Sequence, residues 1–525
     1  MLCFSRWSKN NQKGVDRMKK LFSIVLLLCV FFGASAQNQG VELDDMSGFF
    51  NSDDHITPVD DERYFTAPDG IYTHTQVMNI PASFQADLLH KVLIIVDFNL
   101  YSELTSIINR YAYDIHYVYG CSVIMELVNS ETCQDIKSLI SSYQTNLDGC
   151  VFIGDIVPAW YQTVDVIDFN MIRKWPCDLY YMDLTGNWID TEQDGYFDHY
   201  DGDMEPEIFV GRISTANMGS LIGEIEGMQL YMDKNHKFWI GHQKVNKRKA
   251  LAYTNSPWHT RPYFNYTISA LYGGDNKDCF TPNDPTFGKA DYMNRINNDQ
   301  YEFVQLACHS RDTIHTNFGL TKGNYTIEGN EIFSNGIKAF GFNLFCCSAC
   351  RWTSATSTNA FLAGDYIYSP KSEALSAVGS TKVGSMDYFA DFYSSLGQER
   401  TMGQALVDWW NEDAFQQPNL EATLCWYFGL TIIGDPLVNF FHCTNSTCQE
   451  QITLTSYDSN NTPLSYYLTS EKITVAPPAT GSFTIPVGDH CILNAPTVEI
   501  KGEFLCPYGS SMEILNEGCK DNCDE

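Results

Sequence analysis

Two stretches decide the reading: FVQLACHS (Phe303–Ser310) and KAFGFNLFCCSACRW (Lys338–Trp352). Each is a run of apolar, β-prone residues that stops at a reactive side chain, His309 in the first and Cys347 in the second. A continuous apolar run of this length, bounded by polar residues, is the signature of a strand buried on both faces of a parallel sheet. Open α/β sheets bind ligands outside the carboxyl ends of their strands. Two such strands in one sheet therefore deliver His309 and Cys347 to the same edge. A thiolate with a histidine partner is what nucleophilic cysteine chemistry requires. Taken singly, Cys347 also fits a buried structural thiol and His309 a core histidine; their shared placement at strand ends favours function.

Outward from this pair, the flanking chain reads as one large α/β unit. KVLIIVDF is a continuous apolar strand, LYSELTSIINRYAY has helical spacing, YDIHYVYG alternates like a second strand, and LDGCVFIGD supplies a third after the helix SETCQDIKSLISSYQTN. Residues 156–205 show little periodicity and are rich in Asp, Gly, Trp and Tyr. EIFVGRIS, RKALAYT, AFGFNLF and EALSAVGST add strands, with amphipathic stretches such as GSLIGEIEGMQLYMDK between them. Strand–helix alternation of this kind predicts βαβ units and a mostly parallel sheet. The unit spans 86–442, closing near IIGDPLV. Residues 443–525 change character, with short runs such as QITLTSYD, FTIPVG and TVEIKGEF, and predict a small all-β module.

At the other end, Lys19 and Lys20 precede the apolar run Leu21–Phe32 and the small residues Ala34-Ser35-Ala36. This predicts a cleaved signal peptide over residues 1–36, with translation starting at Met18. Residues 37–85 are polar and aperiodic, as in a linker or pro-segment. No later apolar run is long enough to span a bilayer, so the expected destination is secreted or cell-surface. The net charge of −31 becomes about −36 once the leader's six basic residues and one acidic residue are removed. Such a surface repels phosphate backbones and excludes nucleic acid as a partner. Sixteen of the 18 cysteines lie beyond the leader, and an exported chain permits disulfides. Cys443, Cys448, Cys491, Cys506, Cys519 and Cys523 are the expected bridging set, in a pairing that sequence leaves open. Cys347 and Cys350 form a C-x-x-C, but no second pair at zinc-site spacing stands beside it.

The order of motifs resembles the gingipain family of cysteine peptidases, in the caspase-like clan. The resemblance rests on Ala307-Cys308-His309-Ser310, on Phe345-Cys346-Cys347-Ser348-Ala349-Cys350, and on FIGD (Phe152–Asp155), DLYYMDLTG (Asp178–Gly186), VGRIS (Val210–Ser214), SAVGSTK (Ser376–Lys382) and GDP (Gly434–Pro436). It implies a caspase-like α/β domain, a flavodoxin-like, mostly parallel sheet sandwiched by helices, followed by the small β module. It also implies a secreted endopeptidase acting on protein or peptide substrates through Cys347 and His309. Backbone amides of Cys347 and Ser310 would hold the oxyanion, and an upstream carboxylate, placed at Asp168, would orient the histidine. Two departures stand out: Cys308 and Ser310 replace glycines that usually flank the histidine, and Cys350 replaces one after the nucleophile. A catalytically silent binding or adhesion protein on the same fold is the rival reading.

By the same resemblance Asp178 sits where a carboxylate selects a basic P1 side chain; otherwise it caps a turn or binds calcium. DTEQDGYFDHYD places Asp190, Glu192, Asp194 and Asp201 at positions one, three, five and twelve of a loop with Gly195 at six, which is EF-hand-type spacing. Asp198 and Asp203 add oxygen donors. Structural calcium is therefore expected there, with a solvated acidic loop as the alternative, and no organic cofactor is expected. The β module is read as a stability element or as an attachment to the cell surface.

Overall fold

The computed structural model describes residues 71–82, 88–165, 171–243, 248–298, 301–316, 318, 325–354, 360–414, 426–441, 448–456, 458, 466–487 and 490–520. The leader expected at 1–36, most of the segment 37–85, and Asp168, Cys443 and Cys523 lie outside them. The architecture is an 11-stranded sheet flanked by helices. Its strands are β1 (Thr73–Ile80), β2 (Lys91–Asp97), β3 (Ser122–Asn129), β4 (Gly149–Ile153), β5 (Phe209–Ile213), β6 (Ala250–Thr254), β7 (Lys277–Phe280), β8 (Phe303–Ala307), β9 (Gly341–Phe345), β10 (Ser376–Ser380) and β11 (Leu430–Gly434). Their order is β1-β3-β2-β4-β5-β11-β10-β9-β8-β6-β7. All neighbours are parallel except β1 against β3 and β10 against β11. The β10–β11 step divides the sheet into two halves of opposite direction, each parallel apart from the edge strand β1, and the half containing β8 and β9 carries the two reactive strand ends.

The apolar runs form strands because both faces are covered. Every residue of β4, β5, β6, β8, β9, β10 and β11 is buried, which is why these segments do not alternate in sequence. The expected strand Tyr113–Gly120 is instead the last part of α1 (Phe98–Tyr119). Asp97 caps its start by accepting from the Leu100 amide, and Gly120, at φ 64°, ends it in the left-handed conformation. The neighbouring strand is the next run, SVIMELVN. The segment read as a linker also contributes structure, since Thr73–Ile80 adds an antiparallel edge strand to β3.

The GDP motif proves to be a structural junction. Buried Asp435 accepts hydrogen bonds from Tyr111 Oη at 2.8 Å, Asn235 Nδ2 at 2.8 Å and the Leu437 amide at 2.9 Å. It thereby ties β11 to α1 and to α2 (Glu224–Trp239). Gly434 precedes it at φ 93°, where a Cβ would meet the Leu375 carbonyl, so no other residue fits.

Beyond the peptidase-sized unit, β12 (Gln449–Leu454), β13 (Tyr466–Val475), β14 (His490–Asn494), β15 (Thr497–Ile500) and β16 (Ser511–Leu515) stack in parallel, in the order β12-β13-β14-β16 with β15 also on β13. Leu454, Ile473, Val475, Phe483 and Leu493 fill the core of the stack. Cys448 and Cys519 are disulfide-bonded, whereas Cys491 and Cys506 are not. The stack rests on α1 and α2 through Tyr113, Tyr117, Ile240 and Tyr466. Buried His236 lies between Asp114 at 2.7 Å and Glu517 at 3.1 Å.

Burial lowers the His236 pKa, but the charges and hydrogen bonds of Asp114 and Glu517 more than offset this and raise it. Glu517 is held below its ordinary value, first by its hydrogen bond to His236. A raised histidine contributes stability that is complete below its unfolded pKa of about 6.5 and is lost as pH rises through the folded value. The Glu517 contribution is present above about 4.3 and is lost on acidification. Glu517→Gln is therefore expected to lower unfolding free energy by about 1 kcal/mol, since the carboxylate is partly screened by solvent. The deficit in chemical denaturation should peak between about pH 5 and 6.5 and shrink in alkali.

Candidate active site

Register brings the two reactive residues to the same edge of the sheet. β8 and β9 are parallel neighbours with Ala307 opposite Phe345, and adjacent strands run about 4.8 Å apart. His309 and Cys347 each lie two residues past that pair, so they leave neighbouring strands at the same level. Cys308 and Cys346 lie one residue past it and by parity point to the opposite face. The Cys308 amide still donates to the Phe345 carbonyl at 3.2 Å, which carries the ladder beyond the strand ends.

After β8 the chain forms a small hairpin, His309–Ser310 against Ile314–Thr316. The Arg311 amide donates to the Ile314 carbonyl, so alternation makes Ser310–His315 a non-hydrogen-bonded pair of that ladder. The Ser310 amide is thus not committed to the hairpin. Ser310 Oγ donates to the Cys347 carbonyl at 2.6 Å, a cross-link that glycine could not make. Trp258, from the loop after β6, lies with its ring 4.6 Å from that of His309 and also packs on Phe345. It walls the histidine on one side and limits its rotation.

After β9 the chain turns sharply. Ser348 is buried at φ 57°, a strained conformation for a residue with a side chain. Backbone bonds over-determine it: the Ser348 amide donates to the Lys382 carbonyl at 2.8 Å and the Cys350 amide to the Ser380 carbonyl at 3.0 Å. Of Cys308, Cys346, Cys347 and Cys350, only Cys347 is not fully buried. Burial pushes the Cys350 thiol well up, and its sulfur fills the space left by Gly379. Neither Cys347 nor Cys350 is disulfide-bonded, so the C-x-x-C is here a partly exposed thiol followed by a packing residue.

The aperiodic region folds beside this turn. Trp160–Asp165 and Met171–Pro176 pair as an antiparallel hairpin, and Asp168 falls between them, outside the described residues. Thr381 Oγ1 donates to the Pro176 carbonyl at 2.7 Å, and Arg351 Nη1 to the Lys174 carbonyl at 3.1 Å. The hairpin therefore borders the turn at Ser348, and Trp188, Tyr161, Tyr180, Phe197 and Phe428 pack together there.

Asp178 is 1% exposed, and its carboxylate is occupied from within. Arg212 Nη2 donates to Oδ1 at 2.7 Å, Nε lies 3.0 Å from both oxygens, and Thr431 Oγ1 donates to Oδ2 at 2.5 Å. The expected contact with a substrate cation does not fit this arrangement, because the internal guanidinium already holds the site such a cation would take. The matched FVGRIS segment supplies Arg212, a partner that the reading of Asp178 alone missed.

In the acidic loop, Asp190 accepts from the amides of Asp194 and Gly195 at 3.2 and 2.9 Å, and Asp198 from Thr191. Asp194 accepts from Tyr196 and Gln162, and Asp203 from the Glu205 amide. The short strands Asn187–Ile189 and His199–Asp201 pair across it, with Glu192 in the exposed turn. Among the described residues, one group of three or more His, Cys, Asp or Glu ligand atoms lies within 4.8 Å, and it is Cys308, His315 and Cys346. Burial pushes the Cys346 thiol up, yet hydrogen bonds from Cys308 and His315 outweigh this and hold it below the usual cysteine range. It is 1% exposed and cannot meet a substrate.

Asp178→Asn leaves Arg212 buried without its counter-charge. Breaking a buried pair in this way costs about 3–5 kcal/mol, so denaturant titration should show a loss of that size. The double variant Asp178→Asn, Arg212→Met should recover part of it.

The family model described as Peptidase family C25 matches residues 90–441, the unit that contains the whole sheet except β1. No curated protein matches the chain.

Proposed function

Since the chain belongs to Peptidase family C25, the gingipain family of cysteine peptidases, we propose that it is an endopeptidase with Cys347 as nucleophile and His309 as acid–base group. The observation that carries this reading is the β8–β9 register, which sets the one accessible thiol of the two stretches beside the one histidine walled by Trp258. Family membership makes proteins or peptides the substrates.

The Cys347 thiolate attacks the scissile carbonyl carbon, and the π electrons move onto its oxygen. The amides of Ser310 and Cys347 are the donors that this charge requires. Collapse of the tetrahedral species breaks the C–N bond while His309 passes a proton to the leaving amine. A water, deprotonated by His309, then cleaves the thioester and returns the thiol. Ser310 Oγ, bonded to the Cys347 carbonyl, keeps the two donor-bearing segments in fixed relation. Asp168 stays in the proposal as the carboxylate that orients the histidine.

Sequence alone supports two further parts of the reading: the leader at 1–36 for export, and the Asp190–Asp203 spacing for structural calcium. A basic P1 preference would need a carboxylate other than Asp178, because that group is paired with Arg212.

Purified protein freed of its N-terminal segment should cleave a peptide library with a defined P1 profile, and Cys347→Ala should reduce turnover by at least about 10³-fold. A thiol alkylating agent should label Cys347 faster than any other cysteine. Folded protein that is silent beside its Cys347→Ala control, with no preferential labelling, would instead favour the binding-protein reading. A shift in melting temperature with a calcium-selective chelator tests the acidic loop independently.

A further inference from the structure

The catalytic reading leaves a second reactive cluster unexplained, directly beneath the first. Cys308 and Cys346 are the sequence neighbours of His309 and Cys347, on the opposite face of the strand ends. Their sulfurs lie 3.6 Å apart, and Cys308 Sγ lies 3.3 Å from His315 Nδ1. All three side chains are buried and all three ligand atoms fall within 4.8 Å of one another. His315 enters from the hairpin that follows His309, so three separate segments converge on one point.

We propose that Cys308, His315 and Cys346 bind a thiophilic d10 cation, zinc in the first instance. Zinc bonds of ~2.3 Å to sulfur and ~2.0 Å to nitrogen place tetrahedral ligands about 3.8 Å apart for sulfur–sulfur and about 3.5 Å apart for sulfur–nitrogen. The observed spacings of 3.6 and 3.3 Å are close to both. The donor set is soft, which selects zinc or cuprous ion over calcium or magnesium. Two thiolates with a neutral imidazole cancel a charge of +2, and neutrality matters where no water screens the site.

The outer contacts fit as well. His315 Nε2 lies 3.0 Å from Tyr366 Oη, which lies 2.8 Å from Tyr292 Oη. With the metal on Nδ1, the Nε2–H donates to Tyr366 and Tyr366 donates to Tyr292. Such a chain fixes the tautomer and ring plane of a metal-bound histidine. The bound ion would clamp the β8 and β9 ends from behind, one residue before each catalytic group.

The test is elemental analysis of full-length protein purified under reductant without added metal, read separately from peptidase activity. The expected result is about one equivalent of zinc, or of copper if cuprous ion is the occupant. Cys308→Ser, His315→Ala and Cys346→Ser should each lower this at least about tenfold, while Cys347→Ala retains it. Cobalt(II) loaded into stripped protein should give a thiolate-to-cobalt charge-transfer band that Cys346→Ser loses. A thiophilic chelator should lower the melting temperature of the parent protein but not that of Cys308→Ser. Metal-free protein that also fails to take up zinc, cobalt or cuprous ion would overturn the proposal. So would a Cys308–Cys346 disulfide in the reductant-purified protein, or full metal content in all three variants. None of these outcomes depends on whether the peptidase is active.

Discussion

The pairing of β8 with β9 is the constraint on which the site depends. Parallel strands hold their residues at fixed level, so opposing Ala307 and Phe345 sets every later residue of both chains in step. One residue on, two thiols meet; two residues on, the histidine and the accessible cysteine come to the same level. A slip of one residue in either strand would exchange the faces and bury Cys347. The register is secured by complete burial: no residue of either strand reaches solvent, so any slip would displace a full set of apolar contacts on both sides.

Strand ends alone fix level but not orientation, and the segments around them supply the rest. The turn at Ser348 stores strain that the Lys382 and Ser380 carbonyls hold in place. The Ser310 hydroxyl adds a bond across the two reactive segments. Behind them, Asp178 with Arg212 and Thr431, and Asp435 with Tyr111 and Asn235, are buried polar junctions that tie β5 to β11 and β11 to α1 and α2. Each is strongly directional, and each would be expensive to leave half-satisfied.

Much of this was legible in the chain because fully buried strands are written as unbroken apolar runs. FVQLA, GFNLF, ALAYT and SAVGS all lie where they were read. Tyr113–Gly120 misled because an amphipathic helix ending can alternate over one turn, and the glycine that marks its cap also resembles a strand boundary. Asp178 misled for a different reason: a carboxylate's role depends on what faces it, and Arg212 is 34 residues away in sequence. The Cys308–His315–Cys346 cluster was hidden by the same distance, although its signal was present. Once two strand ends are placed in register, the residues just before His309 and Cys347 must also face each other.

Parity also explains how one sheet edge can hold several thiols without confusing their chemistry. A thiolate's reactivity depends on access as well as ionisation. Cys346 has hydrogen-bonding partners that favour its ionised form but lies sealed beneath the strand ends. Cys350 is sealed and held protonated by its apolar surroundings. Cys347, between them, is turned by the strand alternation and the Ser348 bend toward the open side. Three cysteines within five residues thus receive three different environments from backbone geometry alone. The one accessible thiol of this run is therefore set by the fold before any substrate arrives, and Cys350 leaves that arrangement intact because its sulfur is absorbed against Gly379.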